Sequence, residues 1–200
     1  MTDSHLIERC QQGDTSAFNI LVWRWQHRVY NFVLRYVGHR EDAKDISQKT
    51  FIKAYRNMSA LKDEKKFSTW LYQIAVNLCR DELKKRNRRS LYSLDLLQEN
   101  GNSGLPSLQE LTMDKSEHPE THACQCNLND LLNRALQEIP KEQRIVIIMK
   151  EYEGLKFHEI ADILGTSINT VKSRMYYGLT ALKKVFKQWN ISEELLNYDV

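Results

Sequence analysis

The chain has 200 residues with 29 Lys/Arg against 26 Asp/Glu, so a net charge of +3 conceals its local asymmetries. Its 7 glycines and 3 prolines fall well under the roughly 12% of average usage. That argues against sandwiches, barrels and doubly wound sheets, which need many tight turns, and points to an all-α protein. No apolar run approaches the roughly 18 residues of a membrane span. The opening MTDSHLIERCQQGD lacks the basic start and apolar centre of a signal peptide. A cytoplasmic protein without membrane insertion is expected. Cys10, Cys79, Cys124 and Cys126 are too few and too scattered for a disulfide framework.

In chain order, Asp3 or Ser4 is expected to cap a short helix carrying Leu6, Ile7 and Cys10, which Gly13 ends. Asp14 caps a long helix with Phe18, Leu21, Val22, Trp25, Val29, Phe32, Val33 and Tyr36 at helical period, closed by Gly38. Asp42 starts a third helix with Ile46, Thr50, Phe51, Ala54, Tyr55 and Met58 as its stripe. Residues 59–66 read as a polar loop. A fourth helix carries Trp70, Leu71, Ile74, Ala75, Leu78 and Leu83 and ends in the basic run RDELKKRNRR, residues 80–89. Residues 90–130 hold seven acids against Lys115, a net of −6. The stretch 90–126 loses periodicity and reads as an acidic flexible linker. A further helix follows with Leu128, Leu131, Leu132, Ala135, Leu136 and Ile139, then one entered at Pro140, with Val146, Ile147, Met149 and Tyr152, and broken at Gly154. Two small helical domains are therefore expected, 1–89 and 127–189, with a tail at 190–200.

Residues 155–185 carry the spacing of a helix-turn-helix. Ala161 lets a crossing helix approach, Gly165 supplies a positive φ in the turn, and Val171 locks the second helix onto the first. Ile160 and Leu164 complete the core of the first helix, and Met175, Leu179 and Leu182 that of the second. The second helix turns Asn169, Thr170, Lys172, Ser173, Arg174, Tyr176 and Tyr177 outward, and residues 166–187 hold five Lys/Arg and no acid. Arg bonds a guanine edge bidentately, and Ser or Thr bonds bases or phosphates. An ordinary helical hairpin with a solvated basic face is the bland alternative.

The segments DAKDISQKTFIKAYRNM (42–58) and FSTWLYQIAVNLCRDELKKRNRR (67–89) resemble the second conserved region of bacterial sigma factors, of the compact extracytoplasmic-function (ECF) group. EGLKFHEIADILGTSINTVKSRMYYGLTALKK (153–184) resembles their fourth region. The resemblance implies a sigma factor that binds core RNA polymerase, directs it to promoter DNA and helps melt the -10 element. It implies that the 42–58 helix docks on the clamp helices of the largest polymerase subunit through Asp45, Gln48, Phe51 and Tyr55. Lys49 stands where the family usually has an acid, which puts one ion pair of that docking in question. Phe51 by itself also reads as a core residue. Residues 59–89 would meet the -10 element through Lys62, Lys65, Lys66, Trp70, Asn77, Arg80, Lys84 and Arg88, with Tyr72 as a second ring face and Arg86 as a further phosphate contact. Stacked rings and basic groups hold an unstacked strand. Trp70 also lies on the apolar stripe and reads as core. Asn169, Thr170, Lys172, Ser173, Arg174 and Tyr177 would read the -35 element. The linker would run through the polymerase cleft, or serve as a solvated tether. An anti-sigma factor is an implied partner.

Three rival readings remain open. A stand-alone helix-turn-helix regulator would bind duplex DNA as a dimer. A metal sensor would use His118, His122, Cys124 and Cys126, whose types suit zinc. Their C-x-C spacing and linker setting weigh against a metal. An enzyme would need a nucleophile–base pair or a phosphate-cradling Gly loop, and the chain offers neither, so no catalytic residue and no cofactor is expected.

Overall fold

The structure, a computed structural model, describes the backbone of residues 2–99 and 123–191, with side chains through residue 86, at Arg88 and from Leu128 on. The described residues form eight α-helices and no strand. Helices α1 (Asp3–Gln11), α2 (Thr15–Val37), α3 (Arg40–Arg56) and α4 (Phe67–Glu99) build the first half. The second half comprises α5 (Ala123–Glu138), α6 (Lys141–Ile147), a π-type turn at Ile148–Tyr152, α7 (Phe157–Leu164) and α8 (Ile168–Gln188). The remaining linker residues, the tail from 192, and His118 and His122 of the candidate zinc cluster lie outside the described residues, as do the side chains of Cys124 and Cys126.

Helix boundaries follow local chemistry. Asp14 caps α2, its Oδ1 accepting from the N–H groups of Ser16 (2.9 Å) and Ala17 (3.3 Å), while Arg9 closes on Oδ2. The Ser16 hydroxyl, donating to Oδ1 at 2.6 Å, and then Arg9 chiefly hold the Asp14 carboxyl at about 2. Gly38 ends α2 at φ 81°, a left-handed value that a Cβ penalises. The cap of α1 is Thr2, through its backbone alone, rather than Asp3 or Ser4. Asp3 is drawn away, accepting from Arg24 Nη1 at 2.7 Å and Trp25 Nε1 at 2.9 Å on α2. Helix α3 begins at Arg40, two residues before Asp42, and Met58 falls beyond its end in a 3-10 turn, Met58–Ala60. The 59–66 segment is less loop-like than its polarity implies. It holds a second 3-10 turn, Glu64–Lys66, capped by Asp63, and buries Leu61. Helix α4 passes Arg89 and runs ten residues further, so 90–99 are helical, and α5 begins at Ala123, three residues before the expected end of the linker at 126.

The core of the first half is aromatic. Tyr72 and Phe32 are fully enclosed with centroids 4.9 Å apart, and Trp25 meets Phe67 (5.7 Å) and Tyr72 (6.1 Å) edge-on. Tyr72 is therefore core, not the exposed ring face expected of it. The second half packs small aliphatics, with Ile160, Val146 and Val171 all at 0% exposure. Helices α6 and α8 touch closely because Gly178 has no side chain: a Cβ there would lie 2.8 Å from Ile147 Cδ1. Leu179, expected in this core, is 49% exposed, one position off the α8 stripe of Val171, Met175, Leu182 and Val185.

Candidate functional site

Three surfaces carry the candidate residues. The first is a groove of about 1060 Å³ between α2 and α3. Gln48, Phe51 and Tyr55 form one wall, at the i, i+3, i+7 spacing that aligns side chains on one helix face. Phe51 is half-buried, and Tyr55 is half-exposed with its ring 4.9 Å from Phe18. The facing wall is Phe18, Val22, Gln26 and Tyr30 of α2; Phe18 and Val22 were expected only as core stripe, and Gln26 and Tyr30 were not singled out. The signal for this wall was a spacing of four on α2, residues 18, 22, 26 and 30, which overlaps the expected core stripe at Phe18 and Val22. Asp45 is exposed but does not line the groove. It accepts from Lys49 Nζ at 2.5 Å, a bond that raises the Lys49 ammonium above its ordinary range. Lys49 thus already satisfies the carboxylate that a partner cation would have met.

The second surface runs from the 3-10 turns along α4. Lys62, Lys65, Lys66, Asn77, Lys84 and Arg88 are exposed and Arg80 is half-buried. Trp70 is half-buried, packed on the core and tilted on Phe67 at 6.1 Å, as a stripe residue should be. Arg86 is engaged within the protein: it meets Asp42 at 3.2 Å and the His39 ring at 2.7 Å, tying α4 to the start of α3. Burial and the neighbouring guanidinium hold His39 below its ordinary pKa.

The third surface is the helix-turn-helix. Gly165 adopts φ 63° in the turn, Ala161 is 5% exposed and Val171 is 0% exposed, each in the part its spacing assigned. The Lys156 N–H donates to Glu159 Oε2 at 2.7 Å to start α7. Ser167 caps α8, accepting from the Thr170 N–H at 3.0 Å with the two hydroxyls 2.8 Å apart. Thr170 is thus partly committed to the cap. Asn169, Lys172, Ser173, Tyr176 and Tyr177 are exposed. Arg174 is half-buried and lines a cavity of about 290 Å³ with Arg80, Leu83 and Lys84 of α4 and with Lys141, Glu142 and Ile145 of α6. Candidate -10 and -35 residues, 90 positions apart in the chain, therefore share one cleft.

Two family models match the chain in order: Sigma-70 region 2 over residues 21–89 and Sigma-70 region 4 over residues 129–182. The ECF RNA polymerase sigma-E factor of Escherichia coli is 38% identical over 91% of this chain and 93% of its own. The RNA polymerase sigma-H factor of Pseudomonas aeruginosa is 32% identical over 92% and 94%. Among solved structures, the sigma factor RpoE of Bartonella quintana, in complex with the anti-sigma factor NepR, shares the fold at a TM-score of 0.61 and 20% identity, covering 92% of this chain and 98% of that one. With both regions in place and relatives above 30% identity along nine-tenths of its length, the chain belongs to the ECF sigma factors, which bind core RNA polymerase and direct it to promoters.

Proposed function

We propose that the three surfaces divide the work of initiation, without catalysis by the chain itself and in the cytoplasm. The α2–α3 groove takes the polymerase, through Gln48, Phe51 and Tyr55 with the α2 wall opposite. Asp45 contributes only after giving up Lys49. The observation that carries this is the groove itself, an apolar cleft with an amide at its edge and aromatic anchors of the kind that dominate interfaces. Replacing Gln48 and Tyr55 together by Ala should weaken core polymerase binding by about 2 kcal/mol with helicity unchanged. Wild-type affinity in a titration would remove the groove from the docking site.

Residues 62–88 act on opened -10 strand. Asn77 offers a donor and an acceptor to an exposed base, and Lys62, Lys65, Lys66, Arg80, Lys84 and Arg88 offer phosphate contacts. Trp70 supports this surface from the core side. Helix α8 reads -35 duplex with Asn169, Lys172, Ser173, Arg174 and Tyr177, while Thr170 orders the helix start. The functional units run through 1–89 and 127–189, joined by the acidic linker. The complex of the Bartonella protein with NepR supports an anti-sigma factor as a partner of this chain as well. The rival reading as a lone dimeric regulator predicts a footprint by the free protein, whereas the sigma reading predicts a footprint only with core polymerase.

A further inference from the structure

Four cationic side chains from three helices line the cavity of about 290 Å³: Arg80 and Lys84 of α4, Lys141 of α6 and Arg174 of α8. One acid, Glu142, stands among them, which leaves an excess of three positive charges. The two guanidiniums are half-buried and the two lysines are exposed. None of the four makes an ion pair or a hydrogen bond among the described residues. Other cations drawn off the open surface find partners. Arg86 meets Asp42 at 3.2 Å, and Arg144 donates to the carbonyls of Tyr36 (2.9 Å), Gln137 (2.7 Å) and Ile139 (3.2 Å). Tyr36 is 2% exposed and lines the same cavity, and its hydroxyl has no hydrogen bond among the described residues. Burial raises its phenol pKa, and Arg80 and Glu142 act on it in opposite senses, which puts a neutral hydroxyl beside the charges of the cavity.

We propose that this cavity is a binding site for a small linear polyphosphate, the class that includes inorganic triphosphate and the triphosphate tail of a nucleotide. Like charges gathered in a partly enclosed space repel more than at an open surface, because less water and salt screens them. A ligand that answers the whole excess relieves that repulsion. A carboxylate or a single phosphate carries too little charge to do so, whereas a chain of phosphates carries enough. Guanidinium forks match phosphate oxygens two at a time, and lysines add point charges. The Tyr36 hydroxyl supplies a neutral donor to the same oxygens. Size agrees with charge. The space lies just under the roughly 300–1,000 Å³ of small-molecule pockets, so it admits an ion of this kind and neither a helix nor a duplex. Arg80 and Lys84 stand one turn apart on one face of α4, and Arg174 reaches them from α8. A bound polyphosphate therefore bridges α4 to α6 and α8 and stabilises the folded chain by mass action. The site does not depend on the promoter roles proposed for Arg80, Lys84 and Arg174, since the ligand needs only their charge and their position in the free chain.

The test is isothermal titration calorimetry of the full chain with inorganic triphosphate, orthophosphate and ATP, in about 0.15 M salt, where exposed charges are largely screened. A single equivalent of triphosphate should bind, about tenfold or more tightly than orthophosphate, and should raise the melting temperature. ATP binding as tightly as triphosphate identifies a nucleotide tail as the ligand, and weaker ATP binding identifies the free ion. Arg80→Gln with Arg174→Gln should weaken triphosphate binding about tenfold or more. Lys53→Gln with Lys187→Gln removes the same charge from exposed positions outside the cavity and should change the affinity by less than about twofold. Equal losses in the two variants overturn the site, because binding would then follow overall charge. Binding of several equivalents, or no preference over orthophosphate, overturns it as well. Should the Arg variant lose helicity by circular dichroism, Lys84→Gln with Lys141→Gln decides, because both side chains are exposed. Binding weaker by about threefold or more supports the site, and wild-type affinity overturns it.

Discussion

Under the proposed division of work the two halves meet nucleic acid in different ways, and their interiors differ in a way that suits it. The second half carries a stiff, small-residue motif: Ala161, Gly165 and Val171 hold α8 at a set angle to α7, which presenting a helix to a groove requires. The first half has an aromatic core around Phe32, Tyr72 and Trp25, and its candidate surfaces are a cleft between helices and one long helical flank. A duplex offers a fixed shape that a rigid helix can match. An opened strand offers loose bases, for which a broad polar flank suffices. Demands on the fold are therefore concentrated in the second half and diffuse in the first.

The largest expected effect tests how far the halves are independent. Phe32→Ala empties a fully buried site and should cost the first half about 3–5 kcal/mol. The chain should then melt in two steps by circular dichroism, the second half persisting. A single merged transition would mean that the two halves make one cooperative unit. Next, Arg174→Ala should cost about 1–3 kcal/mol in promoter binding by the polymerase complex, much of it vanishing when the -35 element is changed. Asn77→Ala should leave closed binding nearly intact, reduce permanganate reactivity of unpaired thymines, and be partly rescued on a pre-melted template. If both variants lose closed binding alike, the halves are one electrostatic surface and the contrast fails.

A smaller effect is expected at Gly178. A Cβ there crowds Ile147 Cδ1 at 2.8 Å and Gln143 Cβ at 3.2 Å, so Gly178→Ala should lower the stability of the second half by about 1 kcal/mol, crowding outweighing the gain in helix propensity. Chemical denaturation checks it. The smallest effect belongs to Asp14 in the first half. Its folded carboxyl titrates at about 2, below the ordinary 3.8, so its contribution is complete above the unfolded value and is lost as pH falls through about 2. The wild-type melting temperature should fall more between pH 4 and pH 2 than that of Asp14→Asn, which still caps but does not titrate there.

Legibility in the sequence followed the same division. The helix-turn-helix could be read residue by residue, because a turn needing positive φ and a crossing needing a small residue each restrict the amino acid at one position. The groove could be read on one wall only. Gln48, Phe51 and Tyr55 were carried over through the resemblance, whereas Phe18, Val22, Gln26 and Tyr30 of α2 pass as an ordinary amphipathic stripe until α3 is laid against them. Tyr72 was misplaced because its ring and hydroxyl fit an exposed base platform as well as a core position with a buried partner. That partner, Glu153, lies 81 residues away. Leu179 was misplaced by one position in the helical period.

Sequence alone determined the helical class, the caps at Asp14, Gly38 and Gly165, the helix-turn-helix and the family. These depend on backbone geometry and on patterns closed within a few turns of chain, where each residue's neighbours are set by its number. Tertiary structure decided what joins the halves: Gln137 and Arg144 on the open end of α2, Glu153 beneath Tyr72, and Arg174 in a cleft with Arg80 and Lys84. Such pairs leave no local trace, because a hydrogen bond constrains only where its two partners meet, and that meeting is fixed by how the helices pack.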